Sequence, residues 1–78
     1  MLRFILIEET AEIVVYKYFP ENGKYSGVIS YHKKTDKFNI VTLPGVDKHQ
    51  RYALKMFSKI RDCANNNYFQ EEGLVCWH

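Results

Sequence analysis

Apolar side chains recur at three- and four-residue spacing between residues 47 and 65, and this spacing predicts the one helix of the chain. The apolar stripe consists of Ala53, Met56, Phe57, Ile60, Cys63 and Ala64. Asp47 is a good N-cap, and Gln50 can complete a capping box with it. The asparagines at 65–67 favour the end of the helix. A helix with one apolar face is not stable alone in water, so the pattern also predicts a sheet beneath it.

Short runs of β-branched and aromatic residues, bounded by turn residues, predict strands on both sides of this helix. The predicted strands cover residues 3–8, 12–19, 25–32, 38–43 and 74–77. One long bent strand over residues 3–19 is the alternative, but charged residues at the join favour a turn. Consecutive strands joined by short connections usually pair as antiparallel neighbours. We therefore predict one α+β domain over residues 1–78, an antiparallel meander of four to five strands packed against one helix, in the order ββββαβ.

The second predicted strand carries apolar residues on both sides, although the chain offers only one helix to cover the sheet. Exposed apolar patches of this kind mark interaction sites. The sequence therefore favours a non-enzymatic protein-interaction module, with a homodimer as the expected assembly. We predict that the contact surface lies on the sheet face away from the helix and includes Val14, Tyr16, Tyr18 and Val28.

A row of cations on the predicted helix suggests the alternative function, which is nucleic-acid binding. The row consists of Lys48, Arg51, Lys55 and Lys59. Such a row can lie along a phosphate backbone, and strand tyrosines at 16, 18, 25 and 31 could stack on bases. A helix that covers a sheet must also present something to solvent, and Lys and Arg are common there. The net charge of +2 is too small to decide between these interpretations.

Metal, cofactor and catalytic motifs are weak. Cys63 and Cys76 do not form a disulfide framework, and both fall in patterns that predict burial. Cys76 and His78 have metal-ligand spacing, and Cys63 could join them, but packing explains both thiols. Cys63 beside His32 or His49 is the only arrangement that suggests nucleophilic catalysis. We expect no enzyme activity, no cofactor and no metal.

Two stretches in the second half of the chain resemble a group of small bacterial proteins of unknown function. They are the run Arg51–Leu54 with Ser58–Ile60, and the ending Glu71–Trp77; the hairpin at 33–38 fits the same group. The resemblance implies a small cytoplasmic bacterial protein and supplies no activity or site. The lack of a secretory signal pattern and of a membrane-length apolar stretch leads to the same expectation of a cytoplasmic location.

Overall fold

The computed structural model describes residues 1–21, 23–43, 45 and 51–76. Within these residues the elements are β1 (Leu2–Glu9), β2 (Ile13–Pro20), β3 (Gly27–His32), β4 (Lys37–Thr42), α1 (Arg51–Asn65) and β5 (Glu72–Val75). The five strands form one antiparallel sheet in the order β4-β3-β2-β1-β5. The prediction of an α+β fold, with a meander packed on one helix, is confirmed.

The junction between β1 and β2 is a turn, as predicted, and not a bend in one long strand. Thr10 organises it, because its Oγ1 accepts hydrogen bonds from the backbone N–H of Glu12 at 3.2 Å and of Ile13 at 3.0 Å. The fifth strand begins two residues earlier than predicted, at Glu72. This shift arises because Glu72 and Gly73 pair with β1. The pairing makes them part of a strand, although the polar composition of this segment suggests a loop.

The C-terminal end of α1 follows the asparagine signal. Asn67 adopts the left-handed conformation with φ of 55°. The Tyr68 N–H donates to the Cys63 carbonyl at 3.0 Å, and the Asn67 N–H donates to the Ala64 carbonyl at 3.1 Å. This pair of bonds is a Schellman cap, which satisfies helix carbonyls that have no partner within the helix. The predicted N-terminal cap at Asp47 and Gln50 lies outside the described residues.

The core lies between α1 and one face of the sheet, which we call the inner face. From the helix, Ala53, Met56, Ile60 and Cys63 are buried, and Phe57 and Ala64 are partly buried, so the predicted stripe is confirmed. The inner face contributes Leu2, Phe4, Val14, Tyr16, Tyr18, Ile29 and Tyr31.

The predicted interaction surface is therefore wrong for three of its four residues. Val14, Tyr16 and Tyr18 are fully buried beneath the helix rather than exposed on the opposite face. Val28 lies on that opposite face, since it pairs with Lys17 and not with any of those three. The physical reason is Lys17: burying its ammonium would cost far more than burying tyrosines whose hydroxyls find acceptors. The face of β2 that contains the lysine consequently turns to solvent.

Two β-bulges interrupt the register, and both lie in strand segments at the edges of the sheet. In β1 the pairing with β2 shifts between Leu6 and Glu8, which leaves Ile7 as the extra residue. In β4 the pairing with β3 shifts so that Val41 is the extra residue. Both extra side chains are more than half exposed, at 51% for Ile7 and 57% for Val41. A bulge bends its strand and increases the local twist.

Candidate functional site

The sheet face opposite α1, which we call the outer face, has an apolar centre. Residues that pair across neighbouring strands lie on the same face of the sheet, so the strand register shows which residues belong to the outer face. Its apolar members are Ile5, Ile13, Val15, Phe19, Val28 and Leu74. All of these keep some exposure, and Leu74 is 53% exposed. Among the residues that the structure describes, no element packs over this face as α1 packs over the inner one.

Charges on the outer face are divided between its two sides. Glu8 and Glu72 lie on the side of β1 and β5, and Lys37 lies on β4 at the opposite edge. Between them, the Arg3 guanidinium lies 4.0 Å and the Lys17 ammonium 5.7 Å from the centroid of the Phe19 ring. The aliphatic stems of Arg3 and Lys17 thus cover apolar surface while their charged ends remain near water.

The size of the outer face follows from sheet geometry. Neighbouring strands are about 4.8 Å apart, and side chains on one face repeat about every 6.8 Å along a strand. Five strands and three to four rows therefore give a face of roughly 500 Å². A stable protein–protein interface buries about 800 Å² on each partner. The face is large enough for a contact, but on its own it is below the size of an obligate interface.

Of the predicted cationic row, the structure describes Arg51, Lys55 and Lys59, and these differ in exposure. Arg51 and Lys55 are exposed on the first turns of α1. Lys59 is only partly exposed, and its ammonium lies 5.9 Å from the centroid of the Phe4 ring, over the core. Lys48 lies outside the described residues. The tyrosines proposed to stack on bases are also divided, because Tyr16, Tyr18 and Tyr31 are buried and only Tyr25 is exposed, at 59%.

Arg51 and Lys55 line a depression of about 260 Å³, which we call the cationic depression, together with Glu21 and Tyr52. A second depression of about 220 Å³ adjoins it; this aromatic depression is lined by Pro20, Glu21, Gly23, Tyr25 and Tyr52. The sequence analysis missed the second one because Tyr25 and Tyr52 are far apart in the chain and belong to different elements.

Glu21 belongs to both depressions and is held in an unusual conformation. Its φ of 56° is in the left-handed region, which costs a non-glycine residue on the order of 1–3 kcal/mol. Its N–H donates to the Met1 carbonyl at 2.7 Å, and its Oε1 accepts a hydrogen bond from the Tyr52 hydroxyl at 2.8 Å. The Tyr52 hydrogen bond, followed by that of the N-terminal ammonium, lowers the pKa of the Glu21 carboxyl, so it stays ionised.

Of the candidate catalytic residues, the two that the structure describes, Cys63 and His32, are not brought together. Cys63 is buried on the helix stripe, whereas His32 pairs with Ile13 on the outer face, and the sheet separates them. The Nδ1 atom of His32 is enclosed without a hydrogen-bond partner in the described structure. His49 lies outside the described residues. The structure therefore gives no support to a cysteine–histidine pair at His32.

The two thiols differ in environment. Both are free, but Cys76 is exposed, which contradicts the prediction that both are buried. In the described ranges, no group of three or more His, Cys, Asp or Glu is placed to hold a metal ion. His78, the remaining member of the predicted cluster, lies outside those ranges. The described helix, at 15 residues, is too short and too polar to cross a bilayer.

Two buried tyrosines have perturbed acidities. Burial is the main reason that the pKa of Tyr16 lies far above its usual value, and the nearby Cys63 and Glu9 raise it further. The pKa of Tyr31 is raised mainly by the hydrogen bond that its hydroxyl donates to Asp36 Oδ1 at 2.7 Å. Both hydroxyls stay protonated and act as hydrogen-bond donors inside the fold, which is a structural role.

Comparisons of the chain with protein-family models, with curated proteins and with solved structures found no significant match. The resemblance to small bacterial proteins therefore stays a prediction, and the function is inferred from the surfaces of the chain itself.

Proposed function

We propose that this protein is a non-enzymatic interaction module that pairs with a second copy of itself through the outer face of the sheet. The observation that carries the proposal is the apolar centre formed by Ile5, Val15 and Val28 on a face that no described element covers. Leaving such a face in water costs about 25 cal/mol for each Å² of apolar surface. Val28 is retained from the predicted surface, and Ile5 and Val15 replace the buried residues.

The charges at the two edges of the outer face favour a second copy as the occupant, although Lys17, which lies between Ile5 and Val28 on the central strand, must direct its ammonium to the rim of the contact. A two-fold axis that runs along the strands, between two outer faces, lays the β5 edge of one copy over the β4 edge of its partner. This arrangement brings Glu8 and Glu72 of one chain over the side that carries Lys37 in the other. Complementary charges at the rim fix the orientation of a contact whose centre is apolar.

The area of the face sets the expected strength. At roughly 500 Å² per partner, the contact is smaller than the standard interface. Area does not convert directly into affinity, but a small face must still offset the loss of translational and rotational freedom. We therefore expect a monomer–dimer equilibrium with a dissociation constant in the range of about 10 µM to 1 mM rather than an obligate dimer.

The test compares the wild type with a double variant, Val15→Lys with Val28→Glu, by light scattering over a concentration series. Val15 pairs with Glu8 and Val28 pairs with Lys17, so each new charge meets an opposite charge within its own sheet. The variant keeps its net charge and its strand pairing while it loses the apolar centre. We expect a folded monomer at every concentration, whereas the wild type shows rising mass.

Two control variants complete the design. Leu54→Lys removes an apolar side chain that is 59% exposed on the helix, and it should leave the association unchanged. Val14→Lys should unfold the chain rather than dissociate it, because Val14 is fully buried. The proposal is wrong if the wild type remains a monomer at about 1 mM, or if the double variant associates as strongly as the wild type.

A further inference from the structure

The aromatic and cationic depressions adjoin each other on the helix side of the molecule, and we treat them as one concave surface. They share Glu21 and Tyr52. Each volume alone, about 220 Å³ and about 260 Å³, is below the range of about 300–1,000 Å³ that is usual for small-molecule sites. The two together fall within that range. This surface is separate from the outer face of the sheet, so it can act independently of self-association.

The aromatic depression suits a flat, apolar ring system. Tyr25 is 59% exposed, and its ring stands with Pro20 and Tyr52 around the cavity. Tyr52 is held in place because its hydroxyl is bonded to Glu21. The Lys24 ammonium lies over the Tyr25 ring, 5.7 Å from its centroid, and adds a positive charge next to this ring. Exposed tyrosine rings with cations beside them are the usual platform on which nucleic-acid bases stack.

The cationic depression has two cations, on Arg51 and Lys55, against one carboxylate, on Glu21, and this positive balance suits an anion attached to that ring system. Arg51 and Lys55 line it from one helix face, one turn apart. Guanidinium and ammonium groups at this spacing can bind two oxygens of a phosphate. The ionised Glu21 lies between the two depressions, where its carboxylate can accept a hydrogen bond from an amino group on the ring system.

We propose that this surface binds a nucleotide, with the base stacked in the aromatic depression and the phosphate held by Arg51 and Lys55. Glu21 then favours bases that carry an exocyclic amino group, such as adenine, over uracil. The same chemistry is present in a free mononucleotide and in a unit of single-stranded nucleic acid. Of the predicted row of helix cations, this proposal uses the two members that line a depression together with Tyr52.

The test measures calorimetric binding of adenosine 5′-monophosphate, adenosine, uridine 5′-monophosphate and a short oligoadenylate to the full chain. Tyr25→Ala should weaken both adenosine and its monophosphate by about five- to 150-fold, because it removes one stacking partner. Arg51→Ala should weaken only the ligands with phosphate, and it should reduce the salt slope of oligoadenylate binding by about 0.7. The wild type should prefer the adenine over the uracil nucleotide.

Matched controls exist for both kinds of substitution. Tyr68→Ala removes another largely exposed ring, and Lys34→Ala removes another exposed cation, both away from the two depressions. Both should bind like the wild type, as should the Val15→Lys, Val28→Glu variant of the outer face. Tighter binding of oligoadenylate than of the mononucleotide identifies single-stranded nucleic acid as the source, and equal affinities identify the free nucleotide.

Two results would overturn the proposal. One is the absence of wild-type binding to any of these nucleotides up to about 1 mM. The other is binding that Tyr25→Ala leaves unchanged, since the base would then lie elsewhere on the protein.

Discussion

The hydroxyl of Tyr16 offers a sharp test of how the interior is built. Tyr16 is fully buried, its ring packs edge-on against the Phe4 ring at 5.6 Å, and its hydroxyl donates to the Gln70 carbonyl at 2.7 Å. This bond joins the centre of the sheet to the segment that leads into β5. Tyr16→Phe keeps the ring and removes only the hydroxyl, so its effect isolates the hydrogen bond.

The expected cost follows from the partner that is left behind. A typical hydrogen bond contributes about 0.5–1.5 kcal/mol net, and a buried group left without its partner costs about 1–3 kcal/mol. Gln70 is only partly buried, so water can compensate part of the loss. We expect Tyr16→Phe to cost about 1–2 kcal/mol, which lowers the melting temperature of a domain this small by about 5–15 °C. Tyr25→Phe, at an exposed position, is the matched control and should melt like the wild type.

The pH dependence gives a second readout of the same group. The pKa of Tyr16 is raised in the folded state, whereas an unfolded tyrosine titrates near about 10. The folded chain therefore holds a proton that the unfolded chain releases, and stability falls as the pH rises above about 10. One such group contributes a slope of about 1.4 kcal/mol per pH unit. Tyr16→Phe should lack this contribution, so the stability difference between wild type and variant should shrink as the pH rises from about 9 to 11.

Chemical denaturation at several pH values measures both quantities on the same samples. Equal melting temperatures for wild type and Tyr16→Phe at neutral pH would refute the assigned hydrogen bond. Parallel stability curves above pH 10 would refute the buried, protonated state of the hydroxyl.

Two further substitutions test the backbone. Gly73→Ala should destabilise the fold by about 1 kcal/mol, since a Cβ there would lie 3.0 Å from Cζ of the fully buried Phe4, whereas the Gln70 side-chain amide, 2.5 Å away, can move aside. Gly45→Ala is the control in the same thermal melt, because a Cβ at this position has no atom within 4 Å. Equal changes in melting temperature for the two variants would contradict the close approach of β5 to the core. Asn67→Ala should lower the free energy of unfolding by about 1 kcal/mol because alanine disfavours the left-handed conformation, whereas Asn67→Gly should not lower it. Urea unfolding measures both variants, and the reverse order of stability would show that the helix cap is assigned wrongly.

Local patterns were sufficient for the elements and their order: periodicity for the helix, and β-branched and aromatic runs between turn residues for the strands. The helix stripe at Ala53, Met56 and Ile60 and the alternation in each strand are local signals, and the asparagine cap is local as well. The alternation in β2 also separated Val14, Tyr16 and Tyr18 correctly from their neighbours. What it did not decide is which set faces the helix, because both sets contain large apolar side chains.

A single charged residue in β2 indicates which set of its side chains faces solvent and which faces the helix. Lys17 marks the solvent side, and Arg3 marks the same side of β1, since Arg3 pairs with Phe19. The tyrosines suggested the wrong face because a tyrosine hydroxyl is often solvent-exposed, whereas the hydroxyls of Tyr16 and Tyr31 are buried and bonded to Gln70 and Asp36. These two acceptors lie in distant or irregular parts of the chain, so no local sequence pattern predicts the hydrogen bonds. The concave surface around Tyr25 and Tyr52 depends on tertiary proximity in the same way.

The positions of the two bulges limit how copies of this chain can assemble. A sheet edge with unpaired N–H and C=O groups can accept another strand, and repeated addition produces open-ended filaments. Beyond the short β5, the edge of β1 is bent at Ile7 and surrounded by Glu8, Glu9, Glu71 and Glu72. The other edge is bent at Val41. Strand-by-strand growth is thus hindered at these two bent segments, whereas the face-to-face pairing proposed above would close after two copies and could not propagate.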